Sequence, residues 1–197
     1  SLLAALAGGG QVRVAPDPSR GDLTVGLDWF LLNLLLLALL FVPLERLFPK
    51  RPGQGTFRPE WTTDGVYFLV SHVFVQALSF FILLPATTLG RIWHPEGLQA
   101  ALRAQPFLAQ LLEIVIVADL AQYAVHRAFH RVSWLWPFHA VHHSSRDLDW
   151  LAGSRLHLVD AVSTRALVLV PLSLLGFAEG ALHAYLVFVS FHAVFIH

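Results

Sequence analysis

The chain has 197 residues, of which 56% are hydrophobic and 13% charged, with 13 basic and 13 acidic side chains in balance. Average soluble domains are about 45–50% apolar and about 25% charged, so this composition excludes a disordered chain and a nucleic-acid binder with a basic surface, and argues against an ordinary water-soluble domain. Cys is absent, which excludes disulfides, thiolate metal sites and Cys nucleophiles, while 11 His nearly equal either charge class.

In chain order, residues 1–22 read as a flexible lead-in around Gly8-Gly9-Gly10, and Ser1–Ala7 lacks the basic stretch of a secretory signal. Met is also absent, which predicts that the sequence begins inside a longer product or after processing. A membrane-crossing helix needs about 20 mostly apolar residues. The first such run is about Leu27–Leu44, whose exit is marked by Pro43, Glu45, Arg46, Pro49, Lys50 and Arg51. The second, Val66–Leu89, has no Asp, Glu, Lys or Arg; it crosses with tilt or bends near Pro85. The third, about Pro106–Val125, contains Glu113 and Asp119. The last two, about Val162–Leu175 and Gly180–Ile196, are separated by Gly176-Phe177-Ala178-Glu179, a connection short enough to predict an antiparallel helical hairpin. The fourth run is short and carries Arg165, which also fits a re-entrant or interfacial segment.

Loop charge orients these segments. With the N-terminus outside, the 45–65 and 126–160 loops carry eight Lys and Arg, against four on the opposite side. The positive-inside bias then places the 126–160 loop and His197 at the cytoplasmic face, and Trp134, Trp136 and Trp150 suit the membrane interface. The predicted fold is an all-α polytopic membrane bundle of four to five hydrophobic helices with a cytoplasmic His-rich helical cap, in one domain over residues 1–197.

Five of the 11 His fall within the 18 residues His126–His143. His126 and His130 are spaced i,i+4 and share a helix face; His139 with His142 or His143 repeats this at i,i+3 and i,i+4. A lone His on a helix is ordinarily a core or surface residue. Two such pairs with one extra His form a metal-ligand pattern, since neutral imidazole ligates iron, zinc, copper or nickel. Asp119, Tyr123, His126 and His130 step by 4, 3 and 4 along one stripe. Asp119 stands within an apolar span, where a carboxylate is costly and usually functional. It lies about 10 Å along the axis from His126, so it is expected to orient a His of a neighbouring helix or to ligate directly. His72 reads as a packing residue and His94 as a loop residue on the opposite side. His183 lies about 21 Å from His197 along a helix, whereas His197 lies at the end where the cluster gathers. His157, two residues after Arg155, is a peripheral ligand or supporting group.

The motif Asp119-x3-Tyr123-x2-His126-Arg127-x2-His130, followed by Leu135-Trp136-x2-His139-x2-His142-His143-Ser144, resembles the fatty acid hydroxylase / sterol desaturase superfamily. Arg155-x-His157-x2-Asp160 resembles its next element, with Leu158 where a Pro is usual. The resemblance implies a membrane-bound non-haem di-iron oxidoreductase that uses dioxygen and external electrons to hydroxylate or desaturate a lipid. It makes His126, His130, His139, His142 and His143 ligands of two iron ions, with His197 and His157 as further ligands and Asp119 and Tyr123 as catalytic residues. His197 resembles the single His before the family's last His-x2-His-His box, which is not within the 197 residues. The chain is therefore expected to be a C-terminally incomplete piece of the domain. Without Cys there is no built-in iron–sulfur cluster, so electrons are expected from a separate donor: a cytochrome b5-like protein, a ferredoxin or a reductase.

Three other classes compete. A His-rich metal or proton transporter would distribute ionisable groups through the bilayer, whereas here they gather at one rim. A haem cytochrome would place paired His within spans. A catalytically inactive relative is the third.

Overall fold

A computed structural model of the chain describes residues 27–49, 51, 53–93 and 95–196. The expectations for the 1–22 lead-in, for His94 and His197, and for the His72 side chain lie outside the described residues. The described residues form helices and turns with no strand, and the chain divides into two compact units, Ser1–Thr56 and Phe57–His197.

The first unit contains α1, Leu27–Leu47. It ends where the apolar run gives way to Glu45 and Arg46, and Pro43 lies inside it. The Arg46 guanidinium then donates to Thr56 Oγ1 through Nε at 3.0 Å and Nη2 at 2.6 Å.

In the second unit the Val66–Leu89 run becomes two helices, α2 (Trp61–Ala77) and α3 (Ser79–Ile92). The interruption falls at Leu78 (φ −98°, ψ 12°), while Pro85 stays within α3. The expected bend near Pro85 is therefore displaced by about two turns. A short helix α4, Glu96–Arg103, follows, then α5, Phe107–Arg131. At 25 residues α5 is about 37 Å long, more than the roughly 30 Å hydrocarbon core. A one-turn helix α6 (Trp136–His139) and two 3₁₀ turns (His142–Ser144, Ala152–Ser154) lead to α7 (Leu158–Leu175) and α8 (Glu179–Phe195).

Among the described helices, α5 and α7 are long and apolar enough to cross a membrane, while residues Phe81–Ile92 and α8 are shorter apolar segments. On α5, Leu108, Leu112, Ile116 and Leu120 recur every fourth residue and all are exposed. Such an apolar stripe suits hydrocarbon rather than water. The opposite face is packed: Ile114 and Ala118 meet Val168 and Leu172 of α7, with Phe177, Ala181 and Tyr185 completing the cluster. Small residues at these contacts (Ala118 and Ala181) let helices approach closely. Close packing is what holds helices together where lipid is as apolar as the core.

The last two helices do not form the side-by-side hairpin that their short connection suggests. Helix α5 packs against both, and α7 packs most closely against α3. Gln110 explains the geometry at the connection. Buried at 3% exposure, it accepts from the Ala178 N–H at 2.9 Å and donates to the carbonyls of Gln105 at 2.9 Å and Arg103 at 3.3 Å. Helix α7 stops at Gly176, whose φ of +64° is left-handed, a conformation a glycine adopts without strain. Its terminal carbonyls are taken by α4: Gln99 Nε2 donates to Leu174 O at 2.9 Å and Arg103 Nε to Gly176 O at 2.7 Å.

Candidate metal centre

Helix α5 continues beyond the apolar run, so His126 and His130 lie on its last turns, one above the other. Their Nε2 atoms are 3.1 Å apart. The C-terminus of α5 turns at Val132, and α6 brings the second histidine segment back over it. His143 Nε2 then lies 3.2 Å from both His130 Nε2 and His139 Nε2. The four residues His126, His130, His139 and His143 each offer a ring nitrogen, all within 4.8 Å of one another. His139 is buried, His126 half-buried, and His130 and His143 exposed, so the group opens on one side.

Four imidazole nitrogens at such distances cannot all present lone pairs to one another without repulsion. A cation between them removes it. Nitrogens about 2.1 Å from one tetrahedral ion lie about 3.4 Å apart, close to the spacing here. The donor set is all imidazole and contains no thiolate, which suits iron, zinc, copper or nickel.

A buried carboxylate orients the deepest of the four imidazoles. His139 Nδ1 donates to Asp160 Oδ2 at 2.7 Å, and Thr164 Oγ1 donates to Asp160 Oδ1 at 3.1 Å. A carboxylate accepts, so Nδ1 carries the proton and Nε2 turns its lone pair to the other histidines. Asp160 sits in the first turn of α7, where the helix dipole favours a negative charge. The Phe129 ring stacks on His139 at 5.4 Å and the Trp136 ring on His143 at 5.8 Å. These faces fix two rings without using a ring nitrogen.

The structure resolves the alternatives left by the spacing of the second segment: His143 joins His139 in the group. His142 turns aside, and its Nδ1 lies 3.3 Å from the Arg155 carbonyl oxygen. His157 is placed outside the group as the N-cap of α7, its Nδ1 accepting from the Val159 N–H at 3.1 Å. Asp119 is on an exposed face of α5, and the role of orienting a histidine from a neighbouring helix falls to Asp160. Tyr123 is exposed, with its hydroxyl 2.8 Å from Arg127 Nη1. Sequence reasoning noted Asp160 only as the acid of Arg155-x-His157-x2-Asp160. The cue for its role was its position one turn into a helix that follows two histidine boxes.

Beside the histidines lies a buried charge cluster of which the motifs named only Arg155. Asp64 is fully buried, with Oδ2 accepting from Arg58 Nη2 and Oδ1 from Arg155 Nε, both at 2.6 Å. Arg58 also grips both oxygens of Asp149, at 2.8 and 2.7 Å. Burial pulls the Arg58 guanidinium down, but its hydrogen bonds to Asp149 and Asp64 outweigh this and hold it above its ordinary value.

Convergent imidazoles at one end of an apolar helical bundle, backed by a buried carboxylate, have the make-up of a histidine-ligated metal site of a membrane protein. Residues 111–197 match the fatty acid hydroxylase family model, so over that segment the chain is similar to the fatty acid hydroxylase family. The match contains both histidine segments and α5 from Leu111 onward. The chain is also similar to ornithine lipid hydroxylase OlsE of Rhizobium tropici, with 37% identity over 71 residues, which is 36% of this chain and 22% of that protein. The chain thus spans about a fifth of the length of the curated relative it matches. No solved structure matches it.

Proposed function

We propose that the chain is part of a membrane-bound, non-haem di-iron oxidoreductase that hydroxylates a lipid with dioxygen and electrons from a separate donor. The observation that carries this reading is the convergence of four histidine nitrogens within 4.8 Å, inside a segment matched by the fatty acid hydroxylase family. His126, His130, His139 and His143 would hold the first iron. His142, adjacent to them, and His197 are proposed toward the second. The bound metal supplies the activation of dioxygen that protein side chains cannot perform on an unactivated C–H bond.

The chain's own residues do the rest. Asp160 keeps the proton of His139 on Nδ1, so the ring is always presented in the ligating tautomer. Phe129 and Trp136 hold the rings in place and limit water on their side. Tyr123 and Asp119, on exposed α5 surface, are proposed to face the substrate. The exposed apolar stripe of α5 supports a lipid substrate arriving laterally from the bilayer, and the similarity to an ornithine lipid hydroxylase supports hydroxylation over desaturation. The excess of Lys and Arg in the 45–65 and 126–160 loops supports a multi-pass protein with its histidines at the cytoplasmic face.

Metal analysis of the detergent-purified full-length protein tests this: about two iron per chain are expected, with loss of lipid hydroxylation in His126→Ala and His142→Ala. A protein without transition metal, or full turnover by both variants, would overturn it.

A further inference from the structure

We propose that Asp64 is a positioning residue for the metal centre, acting through Arg155 on His142; this rests on the metal-site reading above. Residues 145–157, between the second histidine segment and α7, contain only one 3₁₀ turn, so regular backbone hydrogen bonding does not hold them. The charge cluster does. Asp149 Oδ1 accepts from the N–H groups of Leu151 at 3.0 Å and Ala152 at 2.9 Å, folding the segment into a turn. Arg58, just before α2, clamps that same carboxylate. Asp64, in the first turn of α2, bridges Arg58 to Arg155. Arg155 Nη2 adds Glu60 Oε2 at 3.1 Å, and its Nη1 reaches Ser144 Oγ at 3.5 Å.

The main-chain carbonyl of this anchored Arg155 faces His142 Nδ1. A carbonyl only accepts, so the contact selects the Nδ1–H tautomer of His142 and leaves the lone pair on Nε2. Buried ion pairs are weak stabilisers, because desolvation offsets their attraction. What a cluster with fixed bidentate geometry supplies is position. Two elements far apart in sequence, the start of α2 and the segment after the second histidine box, are thereby set in one register. Asp64 is the atom pair through which that register reaches a histidine.

Two readouts on the full-length protein in detergent test the proposal. The first is ¹⁵N-histidine NMR of the metal-free protein, with the His142 signal assigned by its loss in His142→Ala. Wild type is expected to show His142 as Nδ1–H, and Asp64→Asn a mixture of tautomers. The second is Co²⁺ titration: Asp64→Asn should bind about two- to fivefold more weakly, less than the roughly 10–100-fold that follows loss of a group bonded directly to a ligand. Adding His142→Ala should then cost less than it does in wild type. Arg155→Lys keeps the charge and the carbonyl but loses the planar fork, and replaces Asp64→Asn if that variant lacks native helicity; the same shifts are expected. An unchanged His142 tautomer, or an additive double variant, overturns the proposal. A tautomer shift in a protein whose wild type binds no Co²⁺ supports the clamp and sinks the metal reading instead.

Discussion

Removing the carboxylate behind His139 separates orientation from ligation. In Asp160→Asn the side chain keeps its shape: the amide oxygen still accepts from His139 Nδ1–H and the amide N–H₂ turns to Thr164 Oγ1. A charge-assisted bond of 2.7 Å becomes a neutral one. Bonds to charged groups contribute about 1.5–3 kcal/mol and neutral ones about 0.5–1.5 kcal/mol, so the loss is roughly 1 kcal/mol, or about fivefold in metal affinity. Asp160→Leu removes the acceptor altogether and leaves a buried imidazole N–H unpaired. There the loss should reach about 10–100-fold in metal affinity. Co²⁺ titration of wild type, Asp160→Asn and Asp160→Leu, read by the ligand-field absorption of the bound ion, gives the three affinities. Thermal unfolding of the metal-free variants shows how much of the cost falls on the fold. The ranking wild type, Asn, Leu is the signature of an orienting acceptor. Equal Co²⁺ affinity in all three would refute it.

Replacing the cap of α7 distinguishes capping from ligation: His157→Asn should keep both stability and metal content, because Asn is a strong N-cap, whereas His157→Ala should lower stability by about 0.5–2 kcal/mol with metal content unchanged. Loss of metal in His157→Asn, measured by elemental analysis, would make His157 a ligand. Gly176→Ala should destabilise by about 1–2 kcal/mol, seen as a lower unfolding midpoint in detergent. Its Cβ would both strain the left-handed φ and lie 2.8 Å from Gln99 Cδ.

Hydropathy located the helices well because an apolar run and the helix that buries its backbone polar groups are nearly the same object in a bilayer. Leu27–Leu44 anticipated α1, and Pro106–Val125 anticipated α5 short by the turns that carry His126 and His130. It misplaced the break in the second run, because Pro85 is tolerated inside α3 while the interruption falls at Leu78. It also paired α7 with α8 by connection length, although α5 packs against each of them. Residue spacing along the chain does not state which face of one helix meets another.

The same division holds at the site. Local periodicity sufficed for His126 with His130, since i and i+4 share a face in any α-helix. In the second segment, where the backbone is a single turn followed by 3₁₀, periodicity left His142 and His143 equivalent. Tertiary contacts separated them, placing His143 against His130 and His142 against the Arg155 carbonyl. Asp160 reaches His139 across 21 residues, and Asp64 reaches Arg155 across 91. The chain's composition and motifs determined the helical class, the membrane character and the histidine segments, because these depend on near neighbours. Which nitrogens converge, and which carboxylates stand behind them, was decided only by helix packing. A hydrogen bond requires two atoms within about 3 Å, and only the folded chain brings residues so far apart in sequence that close.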